Sequence, residues 1–534
     1  MRLRQWSVLA VATVASLGAS GLPAVAGAEA VPSKLKVFYE QQVTWSQCAA
    51  AANLECATIV VPMDYAKPGA ERIQVAISRL KAKDPAKRRG VLLVNPGGPG
   101  GSGLGLPNRF ANQPVAQLYD VIGFDPRGVG ASTQLRCESS LLDLPLPTRP
   151  TEAELPNFTA AARDVEDGCM RAGGDYRRQV TTRNTARDMD VIRGVLGEKK
   201  INYFGYSYGT WLGAMYGTLF PRLLDRSVLD SAMDPNKTWH EQDIDSAHSI
   251  KFNFDSWAAW TAARDKTFKL GSTPAQVRAG LDRIAAALAT KPVGGLATVK
   301  DLDFFTGFYT RYRAVWAGFS RQVRELLDSL SGNGNPELAK ETATLLELAK
   351  RSLIKPTNPG VFQAVLCEWD WPSDQQQYYR DMRQWRDTHP YGNTVSFLAP
   401  TNCAFRGFTR TEPLPRITRT AYPTGLVVHA EGDTQTAYPN GVVMAETLRH
   451  HLISVPNDGE HGQYGSGGAC VDNAVNRYLV DGILPATRSE CEGVDKPADI
   501  PVDTAGATQI PLTEPNLVEQ ATGIVRRLET SGIQ

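Results

Sequence analysis

Gly205-Tyr206-Ser207-Tyr208-Gly209 stands directly between a short apolar run, Ile201 to Phe204, and an apolar helical run, Trp211 to Phe220. A G-x-S-x-G pentapeptide arises by chance about 0.2 times in a chain of this size, so the pattern alone carries little. Its setting carries the rest. A serine forced onto a sharp strand-to-helix turn projects its hydroxyl above a sheet, and glycines flank it because a Cβ there would strike neighbouring backbone.

Other segments repeat the strand-then-helix pattern. Arg72 to Leu80 alternates polar and apolar residues, Val91 to Val94 is a continuous apolar run ended by Gly and Pro, and Tyr119 to Phe124 resembles it. Asp188 to Leu196 has helical spacing, and two late strands, Gly425 to His429 and Leu452 to Val455, flank a helical stretch over Val442 to Leu448. Strands alternating with helices imply a largely parallel sheet. Between them the character changes. Ser272-Thr273-Pro274 starts a helix carrying Val277, Leu281, Ile284 and Leu288, and Leu338 to Leu353 is a second amphipathic run. Seven of the ten tryptophans (239, 257, 260, 316, 369, 371 and 385) fall between 236 and 410, which predicts a helical insert with its own aromatic packing. The expected division is therefore a leader over 1–30, a core over 31–235, a helical cap over 236–410 and a returning core segment over 411–534.

A serine hydroxyl needs a base within hydrogen-bond reach, itself oriented by a carboxylate. On a strand-turn-helix serine these partners follow in the order acid, histidine, on loops after later strands. Asp433, in Glu431-Gly-Asp-Thr434, comes just after the strand ending at His429, and His461, in Asp458-Gly-Glu-His-Gly462, follows the strand ending at Val455. Ser207, Asp433 and His461 are the expected triad, with His429, His450 and His451 as rival bases and a plain turn as the rival use of Asp433. The developing oxyanion needs backbone donors, each worth roughly 3–4 kcal/mol in a dry site. Tyr208 N–H is one, and Gly98, in the loop Asn95-Pro-Gly-Gly-Pro-Gly-Gly-Ser-Gly103, is the other. Gly98, Gly100 and Gly103 also spell G-x-G-x-x-G, with Asp125 at the end of the next strand, as in a dinucleotide fold. Pro96, Pro99 and Pro107 leave no helix there to carry a pyrophosphate, so no cofactor is expected. Asp125 and Arg127 read as braces of the fold.

Arg2 and Arg4, an apolar stretch from Val8 to Val25, and Ala26-Gly27-Ala28 read as a signal peptide cut near Ala28 or Ala30. Ser16, Gly18, Ser20, Gly21 and Pro23 break the run short of the roughly 20 residues a membrane span needs. Lys plus Arg (57) nearly equals Asp plus Glu (56), so no global field draws nucleic acid or an anionic membrane. Eight cysteines and no Cys-x-x-Cys pair suit structural disulfides in an exported protein better than a metal site. Connectivity is open from sequence; the shortest loops pair Cys48 with Cys56, Cys137 with Cys169, Cys367 with Cys403, and Cys470 with Cys491.

Val61-Pro-Met-Asp-Tyr65, Asn95-Pro-Gly-Gly-Pro-Gly100, Asp125-Pro-Arg-Gly-Val-Gly130, Gly205-Tyr-Ser-Tyr-Gly209 and Glu460-His461-Gly462 together resemble the α/β-hydrolase superfamily. More narrowly they are similar to the secreted tripeptidyl aminopeptidases of actinomycetes, relatives of the proline iminopeptidases. The resemblance covers almost the whole mature chain. It implies an α/β-hydrolase fold, with a mostly parallel central sheet and an inserted helical cap, and a cofactor-free serine exopeptidase acting on peptides with free N-termini. One departure is visible: the family's acid is often followed by x-x-Thr-Pro, whereas Thr434-Gln435-Thr436-Ala437 follows Asp433. In the relatives, acidic cap residues hold the α-ammonium group; Glu368 and Asp370, in Cys367-Glu-Trp-Asp-Trp371, are the candidates here. A carboxylesterase or lipase of the same fold, or a secreted non-catalytic relative, is the alternative. The oligomeric state is open, with a monomer as the working expectation.

Overall fold

The computed structural model describes residues 31–49, 51–138, 146–351, 358–503 and 516–531. The expected leader over 1–30 lies outside the described residues. Ten strands form one sheet: β1 Ser46–Cys48, β2 Ala51–Pro62, β3 Arg72–Leu80, β4 Val91–Asn95, β5 Asp120–Phe124, β6 Ile201–Tyr206, β7 Leu224–Asp230, β8 Leu426–Ala430, β9 His451–Val455 and β10 Arg488–Glu490. Their spatial order is β1-β2-β3-β5-β4-β6-β7-β8-β9-β10. The first three strands pair antiparallel with one another and β3 with β5; every pair from β5 to β10 is parallel. The middle strands β4, β5, β6 and β8 are buried along their whole lengths, as parallel strands covered by helices on both faces must be.

Three helices dress the sheet beside the chemistry: α1 Thr182–Val195, α2 Tyr208–Leu219, and, in the cap, α3 Trp239–Ala262. The cap continues with α4 Pro274–Leu288, α5 Val299–Arg311, α6 Trp316–Leu330 and α7 Pro336–Arg351. Thr273 caps α4 through the Gln276 N–H while the Gln276 side chain returns the bond, with Pro274 in the first turn. The cap core joins Trp257, Leu281, Ile284, Phe305, Tyr309, Phe319 and Leu345.

Two segments pack against the neighbouring layer. Segment 361–369 belongs to the sheet's own core, where Val361, Val365 and Trp369 pack; the Trp369 ring lies 5.3 Å from Trp211 of α2. After α8, Tyr438–Leu448, which packs between β8 and β9, the chain ends on α9, Leu517–Ser531. That helix does not stay with the sheet. Leu517, Ala521, Ile524 and Val525 enter the cap core instead, because its apolar face finds the open side of α7 there. Disulfides join Cys48–Cys56, Cys137–Cys169, Cys367–Cys403 and Cys470–Cys491, so each bridge closes a local loop and none ties the cap to a distant part of the sheet.

Candidate active site

Ser207 occupies the single residue between β6 and α2, at φ 55° and ψ −129°, a conformation that costs a non-glycine residue about 1–3 kcal/mol. The flanking glycines are required by contact. A Cβ at Gly205 would lie 2.4 Å from the Gly209 carbonyl oxygen, and one at Gly209 would lie 2.8 Å from Asn95 Oδ1. The Ser207 N–H donates to the Asp230 carbonyl at 3.0 Å, which pins the turn to the end of β7.

Asp433 and His461 meet as the sequence order requires. His461 Nδ1 lies 2.7 Å from Asp433 Oδ2, and both side chains are essentially buried. Burial alone would raise the Asp433 pKa, but His461, His429 and Arg311 outweigh it and hold the carboxyl well below the usual carboxylate range. An ionised carboxylate only accepts. Nδ1 therefore carries the proton and Nε2 is the basic nitrogen, the tautomer a general base needs. Nε2 is buried and makes no hydrogen bond among the described residues. Asp433 is further held by the N–H groups of Gln435 and Thr436 at 2.9 and 3.3 Å and by Thr436 Oγ1 at 2.9 Å.

The rival histidines are occupied elsewhere. His429 Nδ1 accepts the Ala232 N–H at 3.2 Å, so its Nε2 carries the proton and donates to the Thr436 carbonyl at 2.8 Å; burial pushes its pKa down. His450 Nδ1 accepts the Gly425 N–H at 2.9 Å, and burial pushes its pKa down to about 3. His451 Nδ1 lies 2.8 Å from the Pro485 carbonyl.

Two residues escaped the sequence reading. Asp230 and Ser231, at the end of β7, hold the histidine loop against the serine turn. Gly462 N–H donates to Ser231 Oγ at 2.8 Å, while Gln463 and Tyr464 N–H donate to the Asp230 carboxylate at 3.0 and 2.8 Å. Burial raises the Asp230 carboxyl to about 7. The signal available was weak: Leu224–Asp230 reads L-D-R-S-V-L-D, too polar at its start to stand out as a strand.

The glycine loop after β4 is shaped for close approach. Gly97, Gly98 and Gly100 have φ of 95°, 111° and 97°, and Asn95 Oδ1 accepts the Gly97 N–H at 3.0 Å. Neither the Gly98 nor the Tyr208 backbone N–H has a hydrogen-bond partner among the described residues, so both are free to receive an oxyanion. Asp125 braces this loop, accepting from Ser102 Oγ at 2.6 Å and Gly103 N–H at 3.0 Å. Only a four-residue helix, Pro107–Phe110, follows the loop, which is no seat for a pyrophosphate. Arg127 is paired with Asp188 in the interior through two bonds of 2.7 Å.

The carboxylates expected to hold an ammonium group already have partners. Glu368 is buried and accepts from the Thr182 N–H and, at 3.1 Å, from Thr182 Oγ1, so it serves the N-terminus of α1. Burial lifts its pKa to about 8. Asp370 is exposed and paired with Arg410 at 2.7 Å. Asp243 in α3 is different. It keeps partial solvent contact, yet the surrounding protein pushes its carboxyl well above the usual range, with the Trp239 side chain opposing the shift. Trp239 itself lies one turn earlier, its ring 6.5 Å from Tyr208.

The family model described as alpha/beta hydrolase fold matches residues 90–462. The chain is 35% identical over 471 residues to the tripeptidyl aminopeptidase of Streptomyces lividans, covering 84% of this chain and 86% of that protein. It is 27% identical over 495 residues to the serine protease Hip1 of Mycobacterium tuberculosis, with coverage of 84% and 91%. It is 30% identical over 482 residues to a protein of the same species named carboxylesterase B, with coverage of 84% and 90%.

Proposed function

The chain belongs to the α/β-hydrolase family and is a serine hydrolase, and from that premise we propose that it is an exported exopeptidase releasing tripeptides or other short units from free peptide N-termini. The observation that carries this reading is the 2.7 Å pair of Asp433 and His461 with its free, buried Nε2, tied through Asp230 to a strained Ser207.

Ser207 Oγ attacks the scissile carbonyl while His461 Nε2 takes its proton. The N–H groups of Tyr208 and Gly98 receive the oxyanion. The tetrahedral intermediate collapses as His461 returns the proton to the departing amine, leaving the N-terminal fragment as an ester on Ser207; water then repeats the sequence and frees it. A peptide held by its end must present a charged ammonium group, and Asp243 is the carboxylate we assign to it. Its enclosure makes a cationic partner favourable. The cap over 236–410 limits how much chain fits between Asp243 and Ser207. Four disulfides and the leader-like first thirty residues support export to an oxidising compartment.

Paired peptide anilides with free and acetylated N-termini test the reading. A free-end preference of at least about tenfold is expected, since a charged hydrogen bond contributes roughly 1.5–3 kcal/mol. Equal turnover of both, with faster cleavage of simple esters, would favour the carboxylesterase alternative, which the mycobacterial relative's name keeps in view.

A further inference from the structure

The cap grips the acid and the histidine loop from outside. From α3, Ser249 Oγ donates to the Asp433 carbonyl and Asn253 Nδ2 to the Gly432 carbonyl at 2.8 Å. Arg311, the last residue of α5, goes further. Its side chain is 11% exposed; Nε donates to the Gly459 carbonyl at 2.7 Å, two residues before His461, and Nη2 stands 4.0 Å from Asp433 Oδ1. Nη2 has no solvent contact and no hydrogen bond. A guanidinium cannot shed its proton, and burying one without an acceptor is costly, so its place beside the acid calls for a reason.

Resting on the triad reading above, we propose that Arg311 is a positioning residue for the reaction. One guanidinium fixes the histidine loop through Gly459 and sets a permanent positive charge against the outer oxygen of Asp433. That charge opposes a second positive charge on the imidazole. The other groups around the pair are His429 on β8, Asp230 on β7, Asp458 and Glu460 on the histidine loop, Arg527 on α9, and Tyr312, Arg313 and Asp495 behind Arg311. The Asp495 carboxylate is engaged by the N–H groups of Arg313 and Ala314, both at 2.8 Å.

The experiment measures kcat, KM and the pH dependence of kcat/KM for Arg311→Met, Arg311→Lys and Ser207→Ala on a free-N-terminus peptide anilide. Arg311→Met is expected to lose about 10- to 100-fold in kcat with KM within about threefold, and the acid limb of its profile moves up by about half a pH unit. Arg311→Lys keeps the charge but not the geometry of the fork: kcat falls several-fold and the acid limb stays in place. A folded Arg311→Met with wild-type kcat and acid limb overturns the proposal. If that variant does not fold, Arg311→Lys decides, and a displaced limb or an unchanged kcat overturns it. Ser207→Ala separates the two levels. Residual turnover there sinks the triad reading itself, whereas an inactive Ser207→Ala beside unaffected Arg311 variants sinks the positioning role alone.

Discussion

Asp230 holds Ser207 by its backbone and the histidine loop by its side chain: its carbonyl accepts the Ser207 N–H at 3.0 Å, and its carboxylate accepts the Gln463 and Tyr464 N–H groups. The serine turn and the loop that carries His461, 254 positions apart, are thus tied to one residue. Asp230→Asn keeps the carbonyl but turns an amide toward two N–H donors. At pH 8, above the raised value of the Asp230 carboxyl, losing a charged acceptor costs about 1.5–3 kcal/mol, so kcat there should fall about 10- to 100-fold while circular dichroism stays that of the wild type. Undiminished kcat would show that the loop holds His461 without this tether.

Strain at Ser207 has a measurable side. Ser207 sits at φ 55° and ψ −129°, where glycine is unstrained and serine is not. Ser207→Gly should therefore abolish turnover and raise stability by about 1 kcal/mol over Ser207→Ala, which keeps the Cβ and the strain. Denaturant midpoints of the two inactive variants give the comparison, and equal midpoints would refute a strained turn.

The sheet's centre was legible because parallel strands buried on both faces must be mostly apolar: Val91–Asn95, Ile201–Tyr206 and Leu426–Ala430 each carry a single Asn or His among apolar, aromatic and glycine residues. So were the serine turn and the positions of Asp433 and His461, since turns after strands carry Gly beside them. What escaped was long-range. β7 hides behind Asp225 and Arg226; Arg311 reaches a loop more than a hundred residues later; and nothing local says that Glu368 will meet the first N–H of α1. The C-terminal helix joins the cap because only the folded cap offers it an apolar seat.

Asp243 is the residue on which specificity for a free end should turn. Asp243→Asn removes its charge and little volume. We expect kcat/KM for a free-N-terminus peptide anilide to fall about 10- to 100-fold, as for a lost charge-assisted hydrogen bond, while the acetylated anilide is unaffected. An equal loss on both substrates would assign Asp243 to the fold and not to recognition.

Glu460, the neighbour of His461, gives stability a pH dependence of defined sign. It is 3% exposed, its Oε2 has no hydrogen bond, and burial raises its carboxyl to about 7, with Arg527 and Arg311 opposing. In the unfolded chain the same group titrates near its ordinary value of 4.5. The folded protein therefore keeps a proton that the unfolded chain releases between those values. This group's contribution to stability is complete below pH 4.5, declines as pH rises toward 7, and is gone above it. A difference of about 2.5 pH units corresponds to at most roughly 3 kcal/mol. Glu460→Gln stays neutral at every pH, so its stability relative to wild type should be near zero at pH 4.5 and positive at pH 8. With unfolding entropy of about 2.1 cal/mol/K per residue, that gain appears as a Tm increase of about 3 °C at pH 8. Thermal melts at pH 4.5, 6 and 8 decide it, and a Tm difference that is flat across them would mean that Glu460 titrates in the folded protein as it does in the unfolded chain.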